Sequence, residues 1–343
     1  FTCGLLLPMS RGARIIYLDE LNADRLSEGL KKGRITGMVG VPALWQMLER
    51  KILARVKDEG PAAAMAFNWA IELNRLLGKR LGVNAGRLFF GSVHDALGGH
   101  ARFLISGGAA LPKDTAELFN GIGLPLAEGY GLTEAAPVLT VAKASLKTKQ
   151  GNVGKAIPGV ELKIQSPDDK GVGEVLARGP NVMVGYEGNP EATARTIDAD
   201  GWLHTGDLGK IDDKKRLIIV GRQKDVIVSA SGENVYPDDV ETLIGKVDHV
   251  KELAIVGIDD GRGGERVACL AVPEVPADRE PGDSGVIVPS RHELHERAST
   301  ALREAFQKLP KVAQPAVLHL YDVDLPRTAT RKVKRSEVKV ILA

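Results

Sequence analysis

Short apolar runs alternate with helical stripes through residues 1–150, and that alternation leaves few folds open. Leu5, Leu6 and Leu7 read as part of an apolar helix, and Arg14–Leu18 as a short buried strand. Residues 22–32 predict a helix and Thr36–Val41 a strand. Leu44, Met47, Leu48, Ile52 and Val56 fall at helical spacing. So do Met65, Trp69, Leu73, Leu76 and Leu77, a stripe that reads as a helix face packed on the core. Arg102–Ser106 is a strand, followed by Gly107-Gly108 and an amphipathic helix from Pro112 through Phe119. Strands that alternate with helices imply a parallel sheet. Ligands of such sheets sit at the carboxyl ends of the strands, where both Gly107-Gly108 and Tyr130–Glu134 are expected.

From residue 151 the texture changes. Val153–Ile157, Val160–Gln165, Gly173–Arg178 and Met183–Gly185 are short segments divided by Gly, Pro and Asp, the pattern of a small antiparallel sheet or barrel. Arg216–Val220 is a further strand. Beyond Asp225 a separate domain is expected. Ile227–Ser229 is a strand, and Pro237-Asp238-Asp239 opens a helix with proline first and acids in the first turn. Val240, Leu243, Ile244 and Val247 would form its buried face. Leu253–Ile258 and Val267–Val272 are strands, residues 273–289 a surface insert, and residues 291–308 a helix. Leu325–Arg335 reads as a basic loop. The expected fold is α/β: an incomplete parallel α/β domain over 1–150, a β-rich subdomain over 151–222, and a mobile α+β domain over 223–343.

Composition excludes some partners. The 343 residues are 43% hydrophobic and 26% charged, enough to bury a large core. A net charge of +2 gives no case for nucleic acid. Cys3 and Cys269 are too few and too far apart for a disulfide framework and suit a reducing compartment, which predicts the cytoplasm. No apolar run approaches the roughly 20 residues of a membrane span. Histidine gives no convincing metal pair: His292 and His295 lie among charged residues and read as solvated, and His204 has at most a positioning role.

Several residues have chemistry that a nucleotide could use. Tyr130 offers a ring for a base, Thr133 a hydroxyl for a phosphate, and Glu134 a carboxylate for a cation beside that phosphate. Each also has a plainer reading. Tyr130–Glu134 could be a tight turn capping a helix. Asp207 could be a solvated acid in its Thr-Gly-Asp turn, Lys224 a surface lysine, and Lys332 part of a basic tail with Arg327, Arg331, Lys334 and Arg335.

Four signatures stand in one order: Ser106-Gly107-Gly108-Ala109-Ala110-Leu111; Tyr130-Gly131-Leu132-Thr133-Glu134; Gly201–Asp207 with Gly221-Arg222-Gln223-Lys224-Asp225; and Pro326–Lys332. Together they resemble the adenylate-forming superfamily of acyl-CoA synthetases, luciferases and adenylation domains. Lys51–Ala54, Phe67–Ala70 and Leu97–Gly99 narrow the likeness to long-chain fatty acyl-CoA synthetases. The resemblance implies the site. Gly107, Gly108 and Ala109 would form a wall against adenine, with Tyr130 on the ring and Gly131 beside it. Thr133 would bond phosphate and Glu134 would hold Mg²⁺. Asp207 would accept from the ribose hydroxyls, and Arg222 would contact ribose or phosphate. Lys332 would offset the repulsion between carboxylate and α-phosphate. Lys224 would be a hinge between two half-reactions, and Gly232 would complete the tunnel for the CoA thiol. Arg331 departs from the family, which has glycine before the lysine.

The implied activity is an AMP-forming acid–thiol ligase. A fatty acid and ATP would give acyl-AMP, from which CoA displaces AMP. A long acyl substrate would suit peripheral membrane contact, though no amphipathic helix is strong enough to assign it. Oligomeric state is not legible. The family's upstream phosphate loop is not found after Phe1, which predicts a piece of a longer protein that is inactive alone. Two other readings stay open: a fatty acyl-AMP ligase that loads a carrier protein, and a non-catalytic nucleotide-binding module.

Overall fold

The structure, a computed structural model, describes residues 2–18, 23–143, 151–229, 233–261, 263–275, 290–328 and 333–342. It divides into two compact units, Phe1–Thr205 with Gly209–Ile219, and Gly206–Leu208 with Val220–Ala343.

The first unit carries most of a nine-stranded sheet. Its strands are β1 (Gly37–Gly40), β2 (Phe103–Gly107), β3 (Leu126–Tyr130), β4 (Thr140–Val141), β5 (Asn152–Ala156), β6 (Glu161–Gln165), β7 (Gly173–Arg178), β8 (Leu203–Ile211) and β9 (Leu217–Arg222). Their order is β1-β2-β3-β4-β5-β9-β8-β7-β6, and the division between units runs within β8 and β9. β1, β2 and β3 pair in parallel, whereas β3–β4, β4–β5, β5–β9 and β6–β7 are antiparallel. The expected α/β class therefore holds, and the short strands after residue 151 extend the same sheet. Helices Ala23–Gly33, Pro42–Asp58, Pro61–Leu81 and Lys113–Gly121 accompany the parallel strands. Trp45 and Phe119, both fully buried, meet edge to face at 5.7 Å inside the main apolar cluster.

Two local expectations fail in this unit. Arg14–Leu18 is no strand; Ile16, Tyr17 and Leu18 are exposed, and β1, the end strand of the sheet, pairs only with β2 among the described residues. Without a ladder partner an apolar run does not become a strand. The leucines near the start are helical as expected, in the short helices Thr2–Leu6 and Leu7–Ser10, but Leu6 and Leu7 are exposed. Met183–Gly185 also lies outside the sheet.

The helix Pro61–Leu81 exists, but its expected face points the wrong way. Met65 and Trp69 are 74% and 68% exposed, while Phe67, Ala70 and Ile71 pack on the core and Asn74 and Gly78 are buried. Two stripes of similar spacing run along this helix, and the one with the polar Asn74 goes inward. Its amide donates to the Gly121 carbonyl at 2.9 Å and accepts from the Ala85 N–H at 2.8 Å. Those bonds satisfy the buried amide group.

In the second unit β12 (Val250–Asp259), β13 (Glu265–Pro273) and β14 (Val317–Leu320) form a sheet. It follows a two-stranded ribbon of β10 (Ile227–Val228) and β11 (Asn234–Val235). Alternation along the strands gives each face its own core. Ile255, Val267, Cys269 and Ala271 join a cluster with Val240 and Ile244 from the helix Pro237–Ile244 and with Ala298, Leu302 and Phe306 from the helix Arg291–Gln307. Ala254, Val256, Ala268 and Leu270 face Leu325 and Val338. Leu243, expected inside, is 63% exposed. The insert expected over 273–289 begins with the last residue of β13, and residues 276–289 lie outside the described residues. The C-terminal signature is not all loop: a helix, Arg335–Leu342, starts at Arg335. No described helix is long and apolar enough to cross a membrane.

Candidate functional site

Two of the signatures meet because β2 and β3 are parallel neighbours. Their register sets Ser106 beside Glu128 and Gly107 beside Gly129, so both signature loops leave the same edge of the sheet. Gly108 turns with φ +84°, a conformation that glycine adopts without strain. Gly108 and Ala109 are exposed there. Gly131 is required by space: a Cβ would stand 1.9 Å from the Pro137 carbonyl oxygen. Tyr130 is half-buried and packs against two small clusters, one around Leu139 and Leu203, the other around Val153 and Val175.

Glu128 binds the two signatures together. Its carboxyl is buried and accepts the Leu111 N–H, and burial pushes its pKa up to about 7. The Ser106 hydroxyl beside it is buried with no partner among the described residues.

Thr133 and Glu134 sit on a single turn, Thr133–Ala135, with Thr133 exposed. Glu134 is held from two sides. Its carbonyl accepts the Met183 N–H at 2.8 Å, and its Oε1 accepts the Tyr186 hydroxyl at 2.9 Å. Desolvation, then the Glu134 carboxylate, holds the Tyr186 phenol above the usual tyrosine range. Tyr186 was not singled out in the sequence; the only signal is its place beside Gly185, in a stretch that reads as strand. In the same unit His204 Nδ1 lies 3.0 Å from Glu174 Oε2, so the ring is paired rather than free.

The donor chemistry here suits Mg²⁺. Among the described residues no cluster of three or more His, Cys, Asp or Glu forms a protein cage. A site of one carboxylate, Glu134, with the neighbouring Thr133 hydroxyl fits a hard cation that takes its remaining oxygens from phosphate and water.

The second unit holds the other site residues. Asp207 is buried and pairs with Arg222, Oδ1 to Nε at 3.1 Å, while the guanidinium remains half exposed. Lys224 is exposed on the turn Gln223–Asp225. Gly232, Arg331 and Lys332 lie outside the described residues. Arg335 corrects the reading of a basic tail. Its side chain is 16% exposed and surrounded by Asp225, Asp238 and Glu241. His295 is corrected too: it is half-buried, with Nε2 2.6 Å from Asp322 Oδ1, while His292 is exposed.

A sheet of this order, with paired signature loops at the carboxyl ends of β2 and β3, and a separate small α+β unit are the parts of an adenylate-forming fold. Residues 1–187 match the AMP-binding enzyme family, and residues 239–332 match the AMP-binding enzyme C-terminal domain. The chain belongs to the AMP-binding enzyme family, within the adenylate-forming superfamily. It is 33% identical over 240 residues to the long-chain-fatty-acid–CoA ligase ACSBG2 of Rattus norvegicus, covering 66% of this chain and 36% of that protein. It is 30% identical over 341 residues to the indoleacetate–CoA ligase of Aromatoleum aromaticum, covering 98% of this chain and 55% of that protein. ATP-bound MatB from Rhodopseudomonas palustris superposes with a TM-score of 0.68 at 25% identity, over 99% of this chain and 58% of that one. The chain thus spans about half the length of the proteins it matches, or less.

Proposed function

We propose that the protein is an AMP-forming long-chain fatty acid–CoA ligase. The observation that carries this reading is the placing of Ser106–Leu111 and Tyr130–Glu134 at adjacent strand ends. In the first half-reaction a carboxylate oxygen attacks the α-phosphorus of ATP, and pyrophosphate leaves. In the second the CoA sulfur attacks the acyl carbon, AMP leaves, and the thiol gives up its proton.

The chain's residues divide the work. Gly107, Gly108 and Ala109 leave the backbone open for adenine to approach, and Tyr130 and Gly131 border the base. Thr133 donates to phosphate. Glu134, oriented by Tyr186, would hold Mg²⁺ together with phosphate oxygens. That ion, when bound, neutralises phosphate charge. Asp207 accepts from the ribose, with Arg222 beside it. Lys332 offsets the repulsion between the two anions. Lys224 serves as hinge between half-reactions, and Gly232 borders the thiol path. The domains that do this are residues 1–150, 151–222 and 223–343. The widely separated, unbonded Cys3 and Cys269 support a cytoplasmic setting.

The long-chain assignment is supported by the likeness to the fatty-acid ligase of the rat. An aromatic acid is the second reading, favoured by the match to an indoleacetate–CoA ligase over 98% of the chain. The test is thioester formation by the protein as its gene encodes it, with ATP, CoA and a panel of long-chain, medium-chain and aromatic acids. Preference for a long-chain acid, abolished by Lys332→Ala, supports the proposal. Preference for an aromatic acid selects the second reading. Turnover that survives Lys332→Ala refutes the lysine's role.

A further inference from the structure

Arg335, just beyond the Pro326–Lys332 signature, reaches the Gly221–Asp225 signature far upstream in the chain. Its Nη2 is 2.6 Å from Asp238 Oδ1 and 2.9 Å from Glu241 Oε1, and its Nη1 is 3.5 Å from Asp225 Oδ2, 110 residues away. Its Nε is buried and has no hydrogen-bond partner among the described residues, so the guanidinium is held there by these three acids. Glu241 is itself fixed, because Oε1 also accepts the Ile255 N–H of β12 at 2.9 Å. The helix that begins with Arg335 is seated by Val338, fully buried against the sheet, and by Lys339, 3.0 Å from Glu265. The cation is therefore held at a fixed point, and its partners are placed relative to it.

Two of those partners bracket Arg222. Asp225 ends the turn that begins one residue after Arg222. Asp238 lies on the other side: a methyl built on Gly221 would be 3.7 Å from its Oδ2, so this carboxylate packs on the backbone just before Arg222. Arg222 in turn pairs with Asp207 at 3.1 Å. All these groups belong to one unit. Like charges at Asp225, Asp238 and Glu241 would push apart without the cation between them. Their separation would let the Gly221–Asp225 backbone drift, and the Arg222 side chain with it.

We propose that Arg335 is a positioning residue for the nucleotide: it draws Asp225 and Asp238 together around the Gly221–Asp225 segment and so holds Arg222 against Asp207. The proposal rests on the reading that Asp207 and Arg222 contact the ribose of the nucleotide. Lysine at 335 keeps the charge but not the planar fork that reaches several carboxylates at once.

The experiment is a double-mutant cycle on the protein as encoded, with AMP as the probe and calorimetry as the readout. Arg335→Lys is made in the wild-type and in the Arg222→Ala background, and thermal unfolding of each variant is recorded. Arg335→Lys is expected to weaken AMP binding about tenfold in the wild-type background. It is expected to have no further effect where Arg222 is already alanine, although its cost in melting temperature persists in both. Equal losses of affinity in the two backgrounds would overturn the proposal, because a residue that only stabilises the fold acts independently of Arg222. So would an unchanged affinity in the folded variant. If Arg335→Lys does not fold, Asp225→Asn takes its place in the same cycle, since it removes only the longest of the three contacts. A wild-type protein that binds no AMP, or an Arg222→Ala variant that binds it normally, sinks the nucleotide reading itself, and this proposal with it.

Discussion

The Tyr186 hydroxyl donates a 2.9 Å hydrogen bond to Glu134 Oε1 across 52 residues of chain. The contact leaves one carboxylate oxygen of Glu134 oriented and the other available for a cation. Tyr186→Phe removes the donor to Glu134 together with the hydroxyl's hydrogen bond with Thr196, and keeps the ring, of a residue 37% exposed. A lost hydrogen bond to a charged group is worth about 1.5–3 kcal/mol, so the rate of adenylate formation should fall by tenfold or more. The melting temperature should fall by a few degrees, because the same bond also stabilises the fold. Pyrophosphate release and thermal unfolding, measured side by side, check both halves of this expectation. An unchanged rate would show that Glu134 needs no help to be placed.

Glu128 makes stability depend on pH. Its native pKa of about 7 is raised from 4.5 by burial. The native state therefore binds the proton more tightly than the unfolded chain does. This contribution is full below about pH 4.5, is lost as pH rises to about 7, and stays lost above that. The difference is about 3 kcal/mol. Glu128→Gln keeps an oxygen that can accept from Leu111 and cannot ionise. Denaturant unfolding at pH 8 should find the variant about 3 kcal/mol more stable than the wild type, with the gap closing by pH 5. A gap that does not change with pH would mean that Glu128 does not titrate in this range.

Gly131 has no room for a side chain. With Pro137 O only 1.9 Å from the position of a Cβ, Gly131→Ala must displace the backbone between the Tyr130–Glu134 loop and Pro137. A cost of about 3 kcal/mol in stability is expected, the upper range for overpacking, and nucleotide binding should weaken at the same time. Equilibrium unfolding and AMP titration of the variant check this. A stable variant that binds normally would show that the loop can yield.

What the sequence disclosed, and what it did not, follows from the range of the interactions. Gly107-Gly108 and Tyr130–Glu134 were legible at strand ends because a short apolar run followed by glycine is a local pattern, and both lie at the ends of parallel strands. The Met65 and Trp69 stripe misled because two apolar stripes share the helix, and the choice between them is made by Asn74, whose partners Gly121 and Ala85 lie elsewhere in the chain. Arg14–Leu18 looked like a strand, but strand formation needs a neighbour that no local window reveals. Arg335 looked like one more charge in a basic tail. Only the fold brings Asp225, Asp238 and Glu241 to it, from around 100 residues upstream. Tyr186 was invisible for the same reason: nothing near it in sequence marks Glu134 as its partner.

The central claim is that the carboxylate attacks the α-phosphorus of ATP. It is tested most directly by supplying the protein, as its gene encodes it, with ATP, CoA and a long-chain acid labelled with ¹⁸O in both carboxyl oxygens, and then weighing the nucleotide product. The account predicts AMP carrying one ¹⁸O atom, because the attacking oxygen stays with the phosphate when the thiol takes the acyl group. Unlabelled AMP, or ADP with the label in inorganic phosphate, would contradict it.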